Sequence, residues 1–218
     1  MRKRTKLSRL RKSRRNRKKK ISFADDLWIS RATKLDWSYF AGWHYRSHIL
    51  PCVRFMTLLW HGQEPIGMCV LGSAPMSLRP RNEYFGRTGS WNRTQLRMLN
   101  RQLAIVSRVV LHPTYRGAGV AAAFVRRTCE LSPFRWIEAL AQMGHINPFF
   151  EKAGFVRAGV SAAANKSRQQ HSAIYGGRQK HDEPKLSQES HEKSQFARPV
   201  YYIFDNREAF AKKADDAG

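Results

Sequence analysis

The sequence predicts a mixed β-sheet covered by helices, in the α/β or α+β class, on three observations. Two apolar runs, Phe55–His61 and Ile66–Gly72, flank Gly62-Gln63-Glu64-Pro65, which is a hairpin signal. A β-branched run, Ala104–His112, passes through a glycine-bearing turn into an Ala-rich helix from about Gly119 to Leu131. Between 21 and 160 strand and helix patterns alternate closely, as they do where helices cover a sheet. Strands joined by so short a turn run antiparallel, so the hairpin makes the sheet mixed.

A helix is predicted near Trp37–His44, ahead of the hairpin. Asn92–Leu103 has helical spacing, with Leu96, Leu99 and Leu103 on one side. Pro133 stops the Ala-rich helix, and Arg135–Met143 reads as a strand. Pro148–Ala153 reads as a short helix with Gly154 at its C-cap position. From 161 to 198 the chain turns polar and mixes both charges, with Ile174, Tyr175 and Leu186 as its apolar anchors. That stretch reads as a long mobile insertion. Pro199–Asp205 reads as a strand returning to the core, and 207–218 as a polar tail. The expected organisation is a basic arm at 1–20, one domain at 21–206 carrying the insertion, and the tail. No repeat of fixed period is present.

Lys and Arg number 40 against 16 Asp and Glu, a formal net charge of +24. Thirteen of those cations and no acid fall in residues 1–20, where Leu7 and Leu10 are the sizeable apolar side chains after Met1. Like charges repel, so the arm is expected to be disordered alone and to order on a polyanion. It lacks the apolar face of an interfacial helix, which favours nucleic acid over a membrane surface as partner. It also lacks aromatic residues, so it supplies affinity and not sequence reading. Arg79, Arg81, Arg87, Arg93, Arg97 and Arg101 add cations beyond the arm. With 42% apolar residues and six Trp, the remainder can bury a core, which excludes a wholly disordered chain. No apolar run approaches the roughly 20 residues that cross a bilayer, and the N-terminus lacks the apolar core of a secretory signal. Cys52, Cys69 and Cys129 are odd in number and form no CxxC pair. They read as reduced, mostly buried thiols of a cytosolic protein.

The sharpest local feature is Val109–Val125, VVLHPTYRGAGVAAAFV, where a strand turns through Arg116-Gly117-Ala118-Gly119 straight into a helix. Glycines let a backbone pass close to a ligand. The first N–H groups of a helix point out of its N-terminus with the dipole behind them, and that arrangement binds phosphate. Arg116 adds a cation that does not titrate away. No Gly-Lys-Ser/Thr follows and GxGxxG spacing is absent, so this is neither a Walker A loop nor a Rossmann turn. A plain glycine-rich strand–helix turn gives the same local pattern.

Arg116-x-x-Gly119-x-Ala121 after a strand resembles the acyl-CoA pyrophosphate loop of the GNAT acetyltransferase superfamily, and Leu111-His112-Pro113 resembles the approach to it. Further on, Asn147–Phe155, NPFFEKAGF, is similar to that family's second signature, a short helix ending in a Lys-x-Gly-Phe turn. The resemblance covers about residues 55–160, with Pro199–Asp205 as the closing strand. It implies an α+β fold with a splayed, mostly antiparallel mixed sheet flanked by helices. It implies acetyl-CoA, or another acyl-CoA, as cofactor. The backbone of Val109, Val110 and Leu111 would pair with the pantetheine arm. Arg116 and the amides of Gly117, Ala118, Gly119, Val120 and Ala121 would surround the pyrophosphate. Trp43-His44-Tyr45, Pro51, Gly72-x-x-Pro75 and Ser107-Arg108 are similar to two branches. These are the phage Mom proteins, which modify adenine in DNA, and the acetyltransferase domain found with archaeal ABC-type ATPases. The chain departs from Mom in keeping an Arg-Gly-x-Gly loop.

The implied activity is N-acyl transfer from acyl-CoA to an amine on or near nucleic acid, DNA and RNA bases included, in the cytoplasm beside nucleoid or ribosome. Many members place a Tyr before the Glu/Asp-Lys of the second signature, where it protonates the leaving thiolate. Here that position is Phe150. Tyr45 and Tyr115 are the nearest acids by family position; otherwise the thiolate leaves unprotonated. Deprotonating the amine calls for a base with a pKa near the working pH. His44 fits in type and Glu138 is second, against a core histidine and a charge-paired glutamate. A backbone N–H near Val110 is the candidate oxyanion donor. Asn147 either caps the short helix or binds cofactor. His44, Tyr45, His48 and His61 cluster loosely without HExxH or a Cys pair, so no metal site is predicted. His171, His181 and His191 read as solvated. Two rival readings stay open: a catalytically degenerate GNAT-fold nucleic-acid-binding module, and a protein or small-molecule acetyltransferase localised by the arm.

Overall fold

The computed structural model describes residues 26–44, 49–50, 52–88, 91–161 and 198–215. The basic arm, Tyr45, His48, Pro51 and nearly all of the expected insertion with its three histidines lie outside the described residues. Seven strands form one sheet: Leu27–Arg31 (β1), Val53–His61 (β2), Glu64–Gly72 (β3), Leu103–Leu111 (β4), Trp136–Ala141 (β5), Val156–Val160 (β6) and Val200–Asp205 (β7). Their order is β1-β2-β3-β4-β5-β7-β6. Only β4 and β5 run parallel; every other neighbouring pair is antiparallel. The helices are Trp37–Ala41 (α1), Arg79–Tyr84 (α2), Arg93–Gln102 (α3), Val120–Leu131 (α4), Phe149–Lys152 (α5) and Arg207–Asp215 (α6). The fold is the α+β arrangement expected, a mixed and mostly antiparallel sheet flanked by helices.

Period-two alternation sends each strand's side chains to two apolar layers. One layer joins Phe55, Leu59, Leu71 and Ile137 to Phe124, Val125 and Cys129 of α4. The other joins Met56, Leu58, Met68, Val70 and Val110 to Trp37 and Phe40 of α1. Thr57 and Thr128 meet inside the first layer, oxygens 2.7 Å apart, while Thr128 donates back to the Phe124 carbonyl at 2.9 Å. Asn92 and Gln95 form a reciprocal capping box that starts α3.

Five elements depart from the expectation. The helix near Trp37–His44 ends at Ala41, and turn bonds from the Trp43 and His44 amides carry the chain on. β1 and β6 are short edge strands whose patterns are weak in isolation. α2 begins at a Pro80 first turn and lies against Gly159 of β6. Residues 207–215 are helical where the composition suggests a tail: Phe210 lies under the Arg135 guanidinium, and Lys213 donates to the carbonyls of Glu130 and Ser132. At the boundaries of the expected insertion, the Ser161 amide donates to the Pro199 carbonyl at 2.8 Å, so the segment leaves and re-enters at one point.

The feature that matters for function lies mid-sheet. β4 and β5 pair only through Leu103↔Trp136, Ala104↔Ile137 and Ile105↔Glu138. Beyond that, β5 stays on β7 over its whole length, and no strand pairs with the freed side of β4 among the described residues. A bulge on the β3 side lies at the same place: Val70 faces Arg108, Leu71 faces Val106, and Ser107 is left over, its hydroxyl donating to the Val70 carbonyl at 3.1 Å. An extra residue bends the strand that carries it.

Candidate active site

The parting of β4 and β5 opens a cleft of about 530 Å³. Ile105 to Val109 wall one side, and Leu140, Ala141, Gln142 and Met143 wall the other. Asn147, Phe149 and Phe150 add a third wall, and His44, Cys52, Gly72, Ser73 and Pro75 a fourth. The cleft therefore gathers His44, Val109 and Asn147 from the predicted site residues. Gly72, Pro75, Ser107 and Arg108, four of the residues of the finer resemblance, line it as well, whereas Trp43 does not. Val110 and Leu111 turn their side chains into the two apolar layers, while their backbone continues the open edge. Among the three thiols, which the sequence reads as mostly buried, Cys52 is exposed, with φ of 40°, whereas Cys69 and Cys129 are buried. Burial pushes the Cys69 thiol up to about 12.

β4 runs directly into the glycine loop. Gly117 and Gly119 have φ of 83° and 78°, which side chains rarely adopt, and a Cβ at either position would meet nothing within 4 Å. Gly119 occupies the N-cap position of α4 and brings no capping side chain, so the first-turn amides of this helix are left for solvent or a ligand. Gly117, Ala118 and Gly119 are exposed, and Val120 and Ala121 half-buried. Arg116 braces the loop: its Nε donates to the Leu111 carbonyl at 3.3 Å and its Nη2 to the Trp43 carbonyl at 3.0 Å. The bond to Trp43, reinforced by the Trp43–His112 ring contact at 4.5 Å, ties the loop to the residue before His44.

His44 is 6% exposed, edge-on to Trp37 at 5.9 Å, and on the cleft wall. It is thus both mostly buried and in reach of the cleft. Tyr115 places its hydroxyl 2.7 Å from Nδ1 of His61 and is not part of the cleft wall. Phe150 is on the wall and packs against Tyr202 at 5.4 Å. The Tyr202 hydroxyl is used elsewhere, donating to the Gly144 carbonyl and Glu151, and burial first raises its pKa to about 12. Asn147 does not cap α5: Pro148 holds the N-cap position and no side-chain cap bond forms, leaving Asn147 exposed on the cleft.

No protein-family model matches the chain, and no curated protein matches it in sequence. Solved structures resemble it in shape. A SpeG spermidine N-acetyltransferase chimera from Vibrio cholerae and hSSAT aligns at 10% identity, covering 84% of this chain and 98% of that one, with a TM-score of 0.48. The aminoglycoside acetyltransferase AAC(6')-Ib in complex with coenzyme A aligns at 16% identity over 86% and 99% of the two chains, TM-score 0.46. A GNAT-family acetyltransferase from Bacillus cereus aligns at 10% identity over 82% and 96%, TM-score 0.45.

Two expectations about charge need correction. Glu138, the second candidate base, has no exposed surface and sits at the last rung before the strands part. Arg81 grips it with both Nε and Nη2, at 2.9 and 2.8 Å, and Tyr201 donates to the same carboxylate at 3.1 Å. Burial pushes the carboxyl up from its ordinary value, and the Arg81 bonds pull it back. Arg81 also donates to the Pro75 carbonyl at 2.9 Å, fixing a cleft-wall residue to the fork. Its Nη1 is buried without a hydrogen-bond partner among the described residues. Glu138 is therefore a charge-paired strand residue and not a base facing the cleft. Arg81 is no surface cation for nucleic acid, because it is wholly buried. Arg79 is exposed and paired with Glu83. Arg93, Arg97 and Arg101 remain exposed on one side of α3, a helix without an acid. Glu138→Gln should cost about 3–5 kcal/mol in urea denaturation, because a buried guanidinium is left without its counter-charge. Loss of turnover at unchanged stability would return Glu138 to the chemistry.

Proposed function

We propose that the chain is an acyl-CoA-dependent N-acyltransferase, with acetyl-CoA as donor, acting on an amine on or beside a nucleic acid. One observation carries the reading: a single segment, residues 106–121, presents an open strand edge at one end and uncapped helix amides behind two left-handed glycines at the other. Pantetheine carries amide groups that pair with a strand edge as another strand would. Pyrophosphate suits a helix N-terminus. Acyl-CoA thus fits both ends of the segment at once, and the cleft wall of Val106, Val109, Leu140 and Phe149 gives its acyl end an apolar surround.

When bound, the cofactor supplies an electrophilic thioester carbonyl and a thiol leaving group. The chain's own part is positioning. The amides of Gly117 to Ala121 hold the phosphates. N–H groups on the freed side of β4, around Val109 and Val110, polarise the carbonyl oxygen. His44, on the wall it shares with Cys52 and Ser73, takes the proton of the attacking amine. Phe150 offers no proton, so the leaving sulfur receives none from that position. Orientation and preset dipoles then supply most of the rate.

The nucleic-acid half of the reading rests on charge. Residues 1–20 carry thirteen cations and no anion. Arg93, Arg97 and Arg101 form an exposed basic ridge at four-residue spacing, and no ion pair engages them among the described residues. Such cations displace counterions from phosphates and give salt-sensitive affinity. A base amine in DNA or RNA is the acceptor closest to that surface chemistry.

Acetyl-CoA should raise the melting temperature of the wild-type protein by mass action. Gly119→Asp should abolish that rise, while Gly119→Ala, which adds strain without charge, should keep part of it. His44→Ala should keep the full rise and lower turnover roughly 10²–10⁴-fold. Equal responses of all variants to acetyl-CoA would remove the loop from the site.

A further inference from the structure

A second cavity, of about 460 Å³, lies at the other end of the short β4–β5 ladder, beside its first rung Leu103↔Trp136. Its volume falls in the range of small-ligand pockets. Three aromatic rings line it: Phe85 after α2, Trp91 before α3, and Trp136 at the start of β5. Phe85 meets Trp136 edge-on at 5.2 Å, and Tyr84 does so at 6.3 Å. Trp91 is held by a 2.9 Å bond from its indole N–H to Asn82. The two indoles are therefore set in place and still reach the cavity.

The charge around these rings is one-sided. The Arg87 guanidinium lies 4.2 Å over Trp91 and that of Arg207 4.7 Å over Trp136. Asp205 pairs with Arg207, and among the described residues no acid lines the cavity. Arg93 follows Trp91 by two residues, and Arg135, which donates to Gln102 on the cavity wall, precedes Trp136. The Gln102 amide and the Thr88 hydroxyl are the polar side chains on the wall that suit a base edge. Aromatic faces in a cationic setting are what single-stranded nucleic acid binds, since every base has a π-face and every link a phosphate. A duplex keeps its bases stacked internally and has none to offer.

We infer that this cavity seats an unpaired base of a single-stranded nucleic acid, stacked against Trp91 and Trp136, at a site separate from the acyl cleft. The inference rests on the nucleic-acid half of the proposed function and specifies that partner as single-stranded. It makes the short ladder the spacer between a base-holding site and a reaction site.

Fluorescence anisotropy on the full chain without acyl-CoA tests it, using a labelled single-stranded oligonucleotide and the duplex of the same sequence. Single strand should bind more tightly than duplex. Trp91→Ala should weaken the single strand roughly 5- to 150-fold, the range of lost base stacking, and leave the duplex unchanged. Trp91→Phe, which keeps a stacking face, should retain most of the affinity. A 2-aminopurine placed within the strand should be quenched on binding the wild-type protein, a readout that needs no variant to fold. Unquenched bound strand, or unchanged single-strand affinity in both Trp91→Ala and Trp136→Ala, overturns the inference while leaving general nucleic-acid binding intact. If neither oligonucleotide binds, the nucleic-acid half of the proposed function falls as well. Stabilisation by acetyl-CoA is measured separately and depends on neither result.

Discussion

Backbone N–H and C=O groups keep their demand for partners whether or not a strand lies beside them, and burying them unpaired costs about as much as losing hydrogen bonds. From Val106 onward, β4 has one side committed to β3 and, among the described residues, no strand on the other. That condition sits in the middle of a seven-stranded sheet and not at its rim. Neighbouring features fit around it. β5 is held away by continuous pairing with β7 from Trp136↔Asp205 to Ala141↔Val200. The bulge at Ser107 bends β4 where the gap begins. Arg81 clamps Glu138 at the last shared rung and holds Pro75 on the cleft wall. The gap is thus built into the pairing of the sheet and braced by a buried ion pair.

The same strand then delivers the chain to a second set of unpaired donors. Gly117 and Gly119 take left-handed conformations, and α4 starts without a capping side chain. Strand edge and helix start are separated by one braced turn, in which Arg116 reaches back to Leu111 and across to Trp43. A ligand that satisfies both sets has to be long, amide-bearing at one end and anionic at the other. That description fits an acyl-CoA better than it fits a nucleotide alone, whose phosphates would leave the strand edge unmet.

The parts legible in the sequence are those with local causes. The loop from Arg116 to Ala121 is readable because positive φ calls for glycine and because a strand and a helix visibly flank it. The β2–β3 hairpin is readable from its turn. The cleft's far wall is not, since Leu140 to Met143 face β4 only because β5 prefers β7, a choice no local pattern records. Glu138 carries a clue that points the wrong way: a lone charge inside WIEALA asks for a partner, yet its partner lies 57 residues earlier on a helix that Pro80 disguises as loop. Arg81 looks like one more surface cation for the same reason. Asn147 precedes a short helix and so resembles a cap, but the helix takes Pro148 as its N-cap and leaves the amide on the cleft.

If the open edge of β4 and the α4 amides bind one cofactor together, acetyl-CoA must protect both from solvent. Hydrogen–deuterium exchange with and without acetyl-CoA reads each directly. New protection is expected in two stretches at once, residues 106–111 and residues 117–121, with the β2–β3 hairpin unchanged. Protection of the loop alone, or of neither stretch at a concentration where acetyl-CoA binds, would contradict a shared site.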